Sequence, residues 1–578
     1  MATLINNAGV QHYANKMVLA ENRKVGSKSL PTALSDIDNL IDEMKTHFDT
    51  EYGSALDMKL DNNENVFSVG SGTDIDKRDE VENSFTDVEL SGNSLVNLCT
   101  SKVGKITFVA NGTSQVINYK VVGVKPATKY TIITTVTKNT INHNFGLVGW
   151  LVTDNNRQVT IPNGFLGVFK GVFTTSSSPK EVWNCDLWQE NTGGEIEINN
   201  ITLLEGDWTN KPIPQYFEGM KSVGQDDVNG HKIEILSQNK NLFTEENRVS
   251  GYISIYNGLI NNSTKSYATD FIKIEQDGSY TFSCDNYDGL ERIIAFYDCN
   301  KNYIDGVRQI GSTGYCTFTL SKNIAFIRIT YDINATNLQL EFSSTRTTYV
   351  EHKSDKKEIL LNEPLRALSD EVKDSIEKIN GEWKIVRRCG EIVLNGSENW
   401  GTSGMTPQEN TLIFQGDVIS QLVKPNSSAK SDKFATYNGA TTDAEGLLPF
   451  SGTGGTRIYF RISKSKLASE DLTGFKQWLS QNPTKVIYEL ETPTIEDISP
   501  VTLQCWKNGT ISIDEILPVE STHTVALNKP AQIKRNIEEL TVLRKRVQAL
   551  EDFYDQIALE QAHQLSLINH SIELDYDI

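Results

Sequence analysis

The stretch Glu195-Ile-Glu-Ile-Asn-Asn-Ile-Thr-Leu-Leu204 alternates apolar β-formers with polar side chains. Period two is the mark of a strand with one face buried. Segments of the same texture surround it. Lys105-Ile-Thr-Phe-Val-Ala110, Val116-Ile-Asn-Tyr-Lys-Val121 and Tyr130-Thr-Ile-Ile-Thr-Thr-Val136 precede it. Tyr252-Ile-Ser-Ile-Tyr256, Gly278-Ser-Tyr-Thr-Phe-Ser283, Ile293-Ile-Ala-Phe-Tyr297 and Ala325-Phe-Ile-Arg-Ile-Thr-Tyr331 follow. The pattern returns in Gly390-Glu-Ile-Val-Leu394, Thr456-Arg-Ile-Tyr-Phe-Arg-Ile462 and Lys485-Val-Ile-Tyr-Glu-Leu490. Short strands at this spacing, broken by Gly, Asn, Asp and Ser, predict antiparallel β-sandwiches of jelly-roll type.

Two regions share an ending. Leu204-Glu205 is followed by Tyr216-Phe-Glu218 and then Lys232-Ile-Glu-Ile-Leu236. Leu340-Glu341 is followed by Tyr349-Val-Glu351 and then Lys356-Lys-Glu-Ile-Leu360. Such self-similarity is the sign of an array. It predicts serial modules over 85–225 and 226–360, a helical linker over 361–385, and a third module of another kind over 386–528. The third carries a predicted helix from Ser469 to Ser480, with Leu472, Phe475 and Leu479 on one face.

Helical signals stand at both ends. Over 1–50 an apolar stripe of Leu34, Ile37, Leu40, Ile41, Met44 and Phe48 follows Pro31, which suits a first helical turn. A striped helix needs a surface to cover it, so this region reads as an anchor or oligomerisation element. Residues 51–84 are polar and acidic and read as a linker or stem. Over 529–578, after Pro530, positions seven apart are Ile533, Leu540, Val547, Tyr554, Gln561 and Ile568. Three residues after each stand Asn536, Leu543, Leu550, Ile557, Gln564 and Ser571. This is the a/d seam of a coiled coil, strongest at Leu540, Leu543, Val547, Leu550, Tyr554 and Ile557. Together these readings predict a rod of β-modules with a helical element at each end.

The chain has 578 residues, a net charge of −20 and a pI near 5.0. Such a field repels phosphate backbones, and no nucleic-acid partner is expected. No run of about 18 apolar residues occurs, so no membrane insertion is expected. The N-terminus lacks the basic-then-apolar order of a secretory leader. Seven widely spaced cysteines with no C-x-x-C predict reduced thiols, with a disulfide among Cys284, Cys299 and Cys316 as the alternative. None of the eight histidines has metal-ligand spacing, and no nucleophile elbow or phosphate loop is present. The expectation is a protein that is not an enzyme and has no catalytic residues, metal or cofactor. Asp285-x-x-Asp288-Gly289 and Asp74-x-Asp76 read as acidic turns, with calcium binding as the alternative.

Carbohydrate binding is the chemistry best supplied. Trp183, Trp188 and Trp208, with Asn184, Asp186 and Gln189 nearby in sequence, form the first candidate glycan site, and Trp400 the second. Aromatic residues in sandwiches are more often core, and that is the competing reading.

Three phrases resemble tail proteins of phages that infect Gram-positive bacteria. They are Tyr216-Phe-Glu-Gly-Met-Lys-Ser-Val-Gly224 leading to His231-Lys-Ile-Glu-Ile-Leu-Ser-Gln-Asn-Lys-Asn-Leu-Phe243, Glu363-Pro-Leu-Arg-Ala-Leu368 leading to Gly390-Glu-Ile-Val-Leu-Asn-Gly-Ser-Glu-Asn-Trp400, and Tyr488-Glu-Leu-Glu-Thr-Pro493. The resemblance covers about 210–528. It implies a virion, tail-fibre or baseplate protein with carbohydrate-binding-like sandwiches, assembled as a homo-oligomer with three copies favoured. Its N-terminal helix would meet other tail or baseplate proteins, and its modules a host cell-wall glycan. A pure scaffold whose coiled coil holds another receptor-binding protein, or a capsid-attached fibre, would use the same parts.

Overall fold

The structure is a computed structural model. It describes residues 24–564 except 26–27, 53–57, 70–83, 102–103, 149–158, 275, 287–291, 299–300, 310–313, 321–323, 406, 418–422, 425–426, 437–442, 452–456, 527–536, 539, 554–555, 558 and 562. The protein is mainly β, and its strands lie in many antiparallel sheets. It falls into two compact units. The larger is Lys59–Asp79 with Asp87–His523, and the smaller is Met1–Met58, Glu80–Thr86 and Thr524–Ile578.

The larger unit is a β-framework from which three segments leave and return at adjacent positions. Strand Ser94–Val96 pairs with Met220–Ser222, Val96 opposite Met220 and Ser94 opposite Ser222. The chain between them, 97–219, is the first insertion. Strand Lys232–Gln238 pairs along its whole length with Ser354–Leu360 and encloses 239–353. Glu382–Leu394 pairs with Thr484–Asp497, from Lys384 opposite Asp497 to Leu394 opposite Thr484, and encloses 395–483. The modules are therefore insertions into one framework, where the sequence predicted serial units with boundaries at 225, 360 and 386. The physical reason is the backbone ladder. The strands before and after each module satisfy one another's N–H and C=O groups, so they belong together and not to the module.

The repeated phrase now has a structural meaning. The two Lys-x-Glu-Ile-Leu strands are partners. Lys232 Nζ lies 2.6 Å from Glu358 Oε1, and Lys356 Nζ lies 2.7 Å from Glu234 Oε2. These reciprocal pairs lie at or near the surface and are each worth only about 0.5 kcal/mol; they set diagonal Lys–Glu contacts around Glu234 and Glu358, which stand directly opposite one another. Ile233, Ile235 and Ile359, on the other face, are buried.

The first insertion is a sandwich of two four-stranded sheets. Its core holds Phe108, Tyr119, Phe145 and Trp183, each 1% exposed or less. The second places Tyr280, Phe282, Phe296, Phe318 and Leu340 in the core between its six-stranded and three-stranded sheets. The third packs the sheet Asn399–Thr402, Thr411–Asp417, Arg457–Ser463, Gly446–Ser451 and the helix Leu472–Gln481 against Leu394, Val486 and Tyr488 of the framework. That helix is the one read at Ser469–Ser480. Asp471 caps it, accepting from the Gly474 N–H at 2.9 Å.

Two expected connectors differ. The predicted helical linker at 361–385 contains no helix among the described residues. It holds a hairpin instead, Ser375–Ile379 against Glu382–Leu394, with Ile379 opposite Glu382. The turn is Asn380-Gly381, both at positive φ (52° and 83°), the geometry that a two-residue hairpin turn demands. Buried Asp374 organises the approach, accepting from the N–H groups of Arg366, Arg388 and Cys389 at 2.8–3.0 Å. Part of the predicted linker at 51–84 is also framework. Val66–Ser68 pairs with Thr510–Ile513, Phe67 opposite Ile511. Residues 70–83 lie outside the described residues.

The smaller unit contains the helix Leu30–Tyr52 and helical residues 540–553. Asp38 Oδ2 accepts from Arg544 Nη2 at 2.8 Å, so the two helices are neighbours. No local pattern in the sequence reports that these two helices pair. An amphipathic stripe reports that a helix needs a partner surface and is silent on which one.

Candidate functional site

The four tryptophans singled out in the sequence are not brought together. Trp183 points into the core of the first insertion, fully buried, edge-on to Tyr119 and Phe173, its Nε1 donating to the Lys180 carbonyl at 2.7 Å. Trp208 is 8% exposed. Its Nε1 donates to the Glu205 carbonyl at 3.0 Å, and Lys211 Nζ lies 5.3 Å from the ring centroid. Trp400 is buried edge-on to Phe460 and Phe475, with Nε1 donating to Glu398 Oε2 at 2.8 Å. None of these three offers a free ring face to a sugar. Trp188 is half-buried and follows strand Val182–Leu187. Strand parity separates the cluster. Trp183, Cys185 and Leu187 belong to the inner core, whereas Asn184 and Asp186 alternate with them on the other face, 5% exposed each. Gln189 is exposed.

The C-terminal helix presents a different kind of surface. Leu543, Val547 and Leu550, consecutive d, a and d positions, are 55%, 37% and 58% exposed. Leu540 and Ile557 are half-buried. Ile533 and Tyr554 lie outside the described residues. Ile537 is buried at 5%. On the helix Leu30–Tyr52 the predicted stripe divides. Leu34 and Ile41, seven apart, are each 4% exposed, while Ile37 and Leu40 are 38% and 53% exposed. Met44 is half-buried, and the side chain of Phe48 lies outside the described residues.

A groove of about 510 Å³ opens on the framework, with Asp61, Glu89, Glu377, Glu520, Ser375 and Thr522 in its wall. Its carboxylates already have protein partners. Thr522 Oγ1 donates to Asp61 at 2.7 Å, Arg388 Nη2 to Glu377 at 3.1 Å, and Lys373 pairs with Glu520. Among the described residues no group of three or more His, Cys, Asp or Glu could hold a metal ion. Of the two acidic turns, Asp285 is paired with Arg346 at 2.6 Å and Asn337 at 2.8 Å, while Asp74, Asp76 and Asp288 lie outside the described residues. Cys284 and Cys316 are free buried thiols, and Cys299 is outside the described residues. Burial pushes the thiols of Cys185, Cys389 and Cys505 up to about 12, so they are neutral.

The most exposed aromatic among the described residues is a tyrosine. Tyr256, on a hairpin of the second insertion, is 86% exposed. The only signal for it in the sequence is the Asn257-Gly258 turn pair that follows.

No family model matches the chain, and no curated protein does. Among solved structures, the infectious bursal disease virus VP2 subviral particle aligns at 9% identity over 83% of this chain and 95% of that one, with a TM-score of 0.13. A triple jelly-roll turret protein of an archaeal virus aligns at 11% identity over 80% and 96%, with a TM-score of 0.10. TM-scores this low do not indicate a shared arrangement, and no argument rests on them.

Proposed function

We propose that the chain is a non-enzymatic structural subunit of a phage tail or tail-like particle of a Gram-positive host. Its copies join through the C-terminal helix, and its β-insertions meet a cell-wall glycan. The observation that carries the reading is the exposed seam of Leu543, Val547 and Leu550 on residues 540–553. Three large apolar side chains at heptad spacing are left in water by a single chain, which further copies of the same helix would cover. Several copies bring several sets of β-insertions to one surface, and linked weak sites give avidity without stronger individual contacts. The charge of −20 directs the reading to neutral wall polysaccharide, because an acidic particle is repelled by an anionic one.

The test is co-sedimentation of the full chain with walls purified from a panel of Gram-positive species, alongside its mass in solution. An oligomer that sediments with at least one wall supports the reading. An oligomer that binds none points to the scaffold role, and a monomer that binds none overturns the proposal.

A further inference from the structure

Residues 252–261 of the second insertion form a small hairpin, Tyr252 opposite Asn261 and Ile253 opposite Ile260. The hairpin has a hydrophobic cluster of its own. Ile253, Ala268, Ile293, Ala295 and Tyr297 form it, apart from the main core of the insertion, with Ile255, Ile260 and Tyr303 packed alongside. The Ile253 N–H donates to Thr330 Oγ1 at 2.9 Å, which ties the hairpin to the strand Phe326–Asp332 beneath.

The loop at its tip is fixed from several directions. Ser254 N–H donates to the Leu259 carbonyl and Gly258 N–H to the Ser254 carbonyl, both at 2.8 Å. Leu259 N–H donates to Asn257 Oδ1 at 3.1 Å. From below, Tyr297 Oη donates to the Gly258 carbonyl at 2.7 Å, and Tyr303 Oη donates to the Ile255 carbonyl. Gly258 sits at φ +70°, and a Cβ there would meet Tyr303 Cδ2 at 2.5 Å. Only glycine allows this approach.

What this construction holds out is Tyr256, at 86% the most exposed aromatic among the described residues, with Leu259 of the same loop at 65%. Asn261 at the end of the hairpin and Asn262 after it are exposed. An aromatic ring with an apolar neighbour and free amides matches the two surfaces of a pyranose, its C–H face and its hydroxyl rim. A fixed loop loses little conformational freedom on binding, so weak stacking is not cancelled by ordering cost.

We propose that this hairpin is a saccharide-stacking platform, with Tyr256 as its aromatic face, for a neutral hexose or N-acetylhexosamine unit of a polysaccharide. The proposal rests on the glycan-binding reading above and gives that reading a site.

The test measures binding of the full chain to an immobilised panel of glucose, galactose, N-acetylglucosamine and N-acetylgalactosamine oligomers, and to purified Gram-positive walls. The proteins are native, Tyr256→Ala, Tyr256→Trp and, as a control, Tyr349→Ala, whose ring is 39% exposed elsewhere on the insertion. Tyr256→Ala is expected to weaken binding at least tenfold with an unchanged melting temperature. Tyr256→Trp should keep it, with a ligand-dependent change in fluorescence, and Tyr349→Ala should match native. Native-like binding by Tyr256→Ala would overturn the site and leave the glycan reading standing. Failure of the native chain on both the panel and the walls would overturn both.

Discussion

The side-chain amide of Asn241 donates to the carbonyl of Val350 at 2.9 Å, joining the first residues of the second insertion to its last. The same amide donates to Leu338 at 3.0 Å, and its oxygen accepts from the N–H groups of Phe243 and Leu340 at 3.0 and 3.1 Å. Asn97 repeats the arrangement in the first insertion. It donates to Ile201 and Phe217 and accepts from Cys99 and Leu203 at 2.9–3.3 Å. Both are buried, at 1% and 0% exposure. The middle residue of each repeated Tyr-x-Glu phrase, Phe217 or Val350, is thus an acceptor of an asparagine clasp at the neck.

Asn241→Ala leaves four buried backbone groups without these partners. A loss of about 3 kcal/mol is expected, with Asn97→Ala similar. The two necks share no partner, so the double variant should lose about the sum. Urea unfolding of the three proteins measures this. A double variant no worse than either single one would show that the clasps are coupled.

Trp183→Ala should cost about 3–5 kcal/mol, because it opens a large void in the first insertion's core. Trp188→Ala, at a half-buried position, should cost about 1 kcal/mol or less. Thermal melts of both variants check the difference in burial between these two rings.

His523 is fully buried, stacked on Phe67 and bonded to Ser521 Oγ at 2.9 Å; burial pushes its imidazole down to about 4. A depressed folded value means that the unfolded chain takes up the proton first. The stability this contributes is complete above about 6.5 and is lost as pH falls through about 4. His523→Gln should flatten the stability profile between those values, measured by urea midpoints against pH.

Glu515 has the opposite sign. Burial raises its carboxyl to about 7, and its Oε1 accepts from the Gly224 N–H at 3.0 Å. Its contribution is complete below the ordinary value of 4.5 and is lost as pH rises through 7. Glu515→Gln keeps an acceptor and cannot ionise. It should match native at pH 4 and exceed it by on the order of 2 kcal/mol at pH 8.

Much of the β-architecture is legible in the sequence, because strand period, Asn-Gly turns and helix spacing are local. The helix Leu472–Gln481, read at Ser469–Ser480 from the spacing of Leu472, Phe475 and Leu479, is an example. The core role of Trp183 was equally readable from its alternation with Cys185 and Leu187. What local pattern cannot supply is the identity of partners. That Lys232–Gln238 pairs with Ser354–Leu360 depends on closing a long loop, and no periodicity reports it. The same holds for Asp38 and Arg544, which bring together two helices read as opposite ends. The exposure of Tyr256 has no local signature, because Tyr297 and Tyr303, which hold its loop, are distant in sequence.

Assembly through the C-terminal seam is measured by light scattering of the full chain beside Leu543→Asp/Leu550→Asp. Both side chains are more than half exposed, so the double variant should keep the native β-sheet circular dichroism. Native protein is expected at a multiple of 64.6 kDa, three copies favoured, and the variant at the monomer mass. Native protein at 64.6 kDa at micromolar concentration, or a variant that keeps the native oligomer, would contradict it.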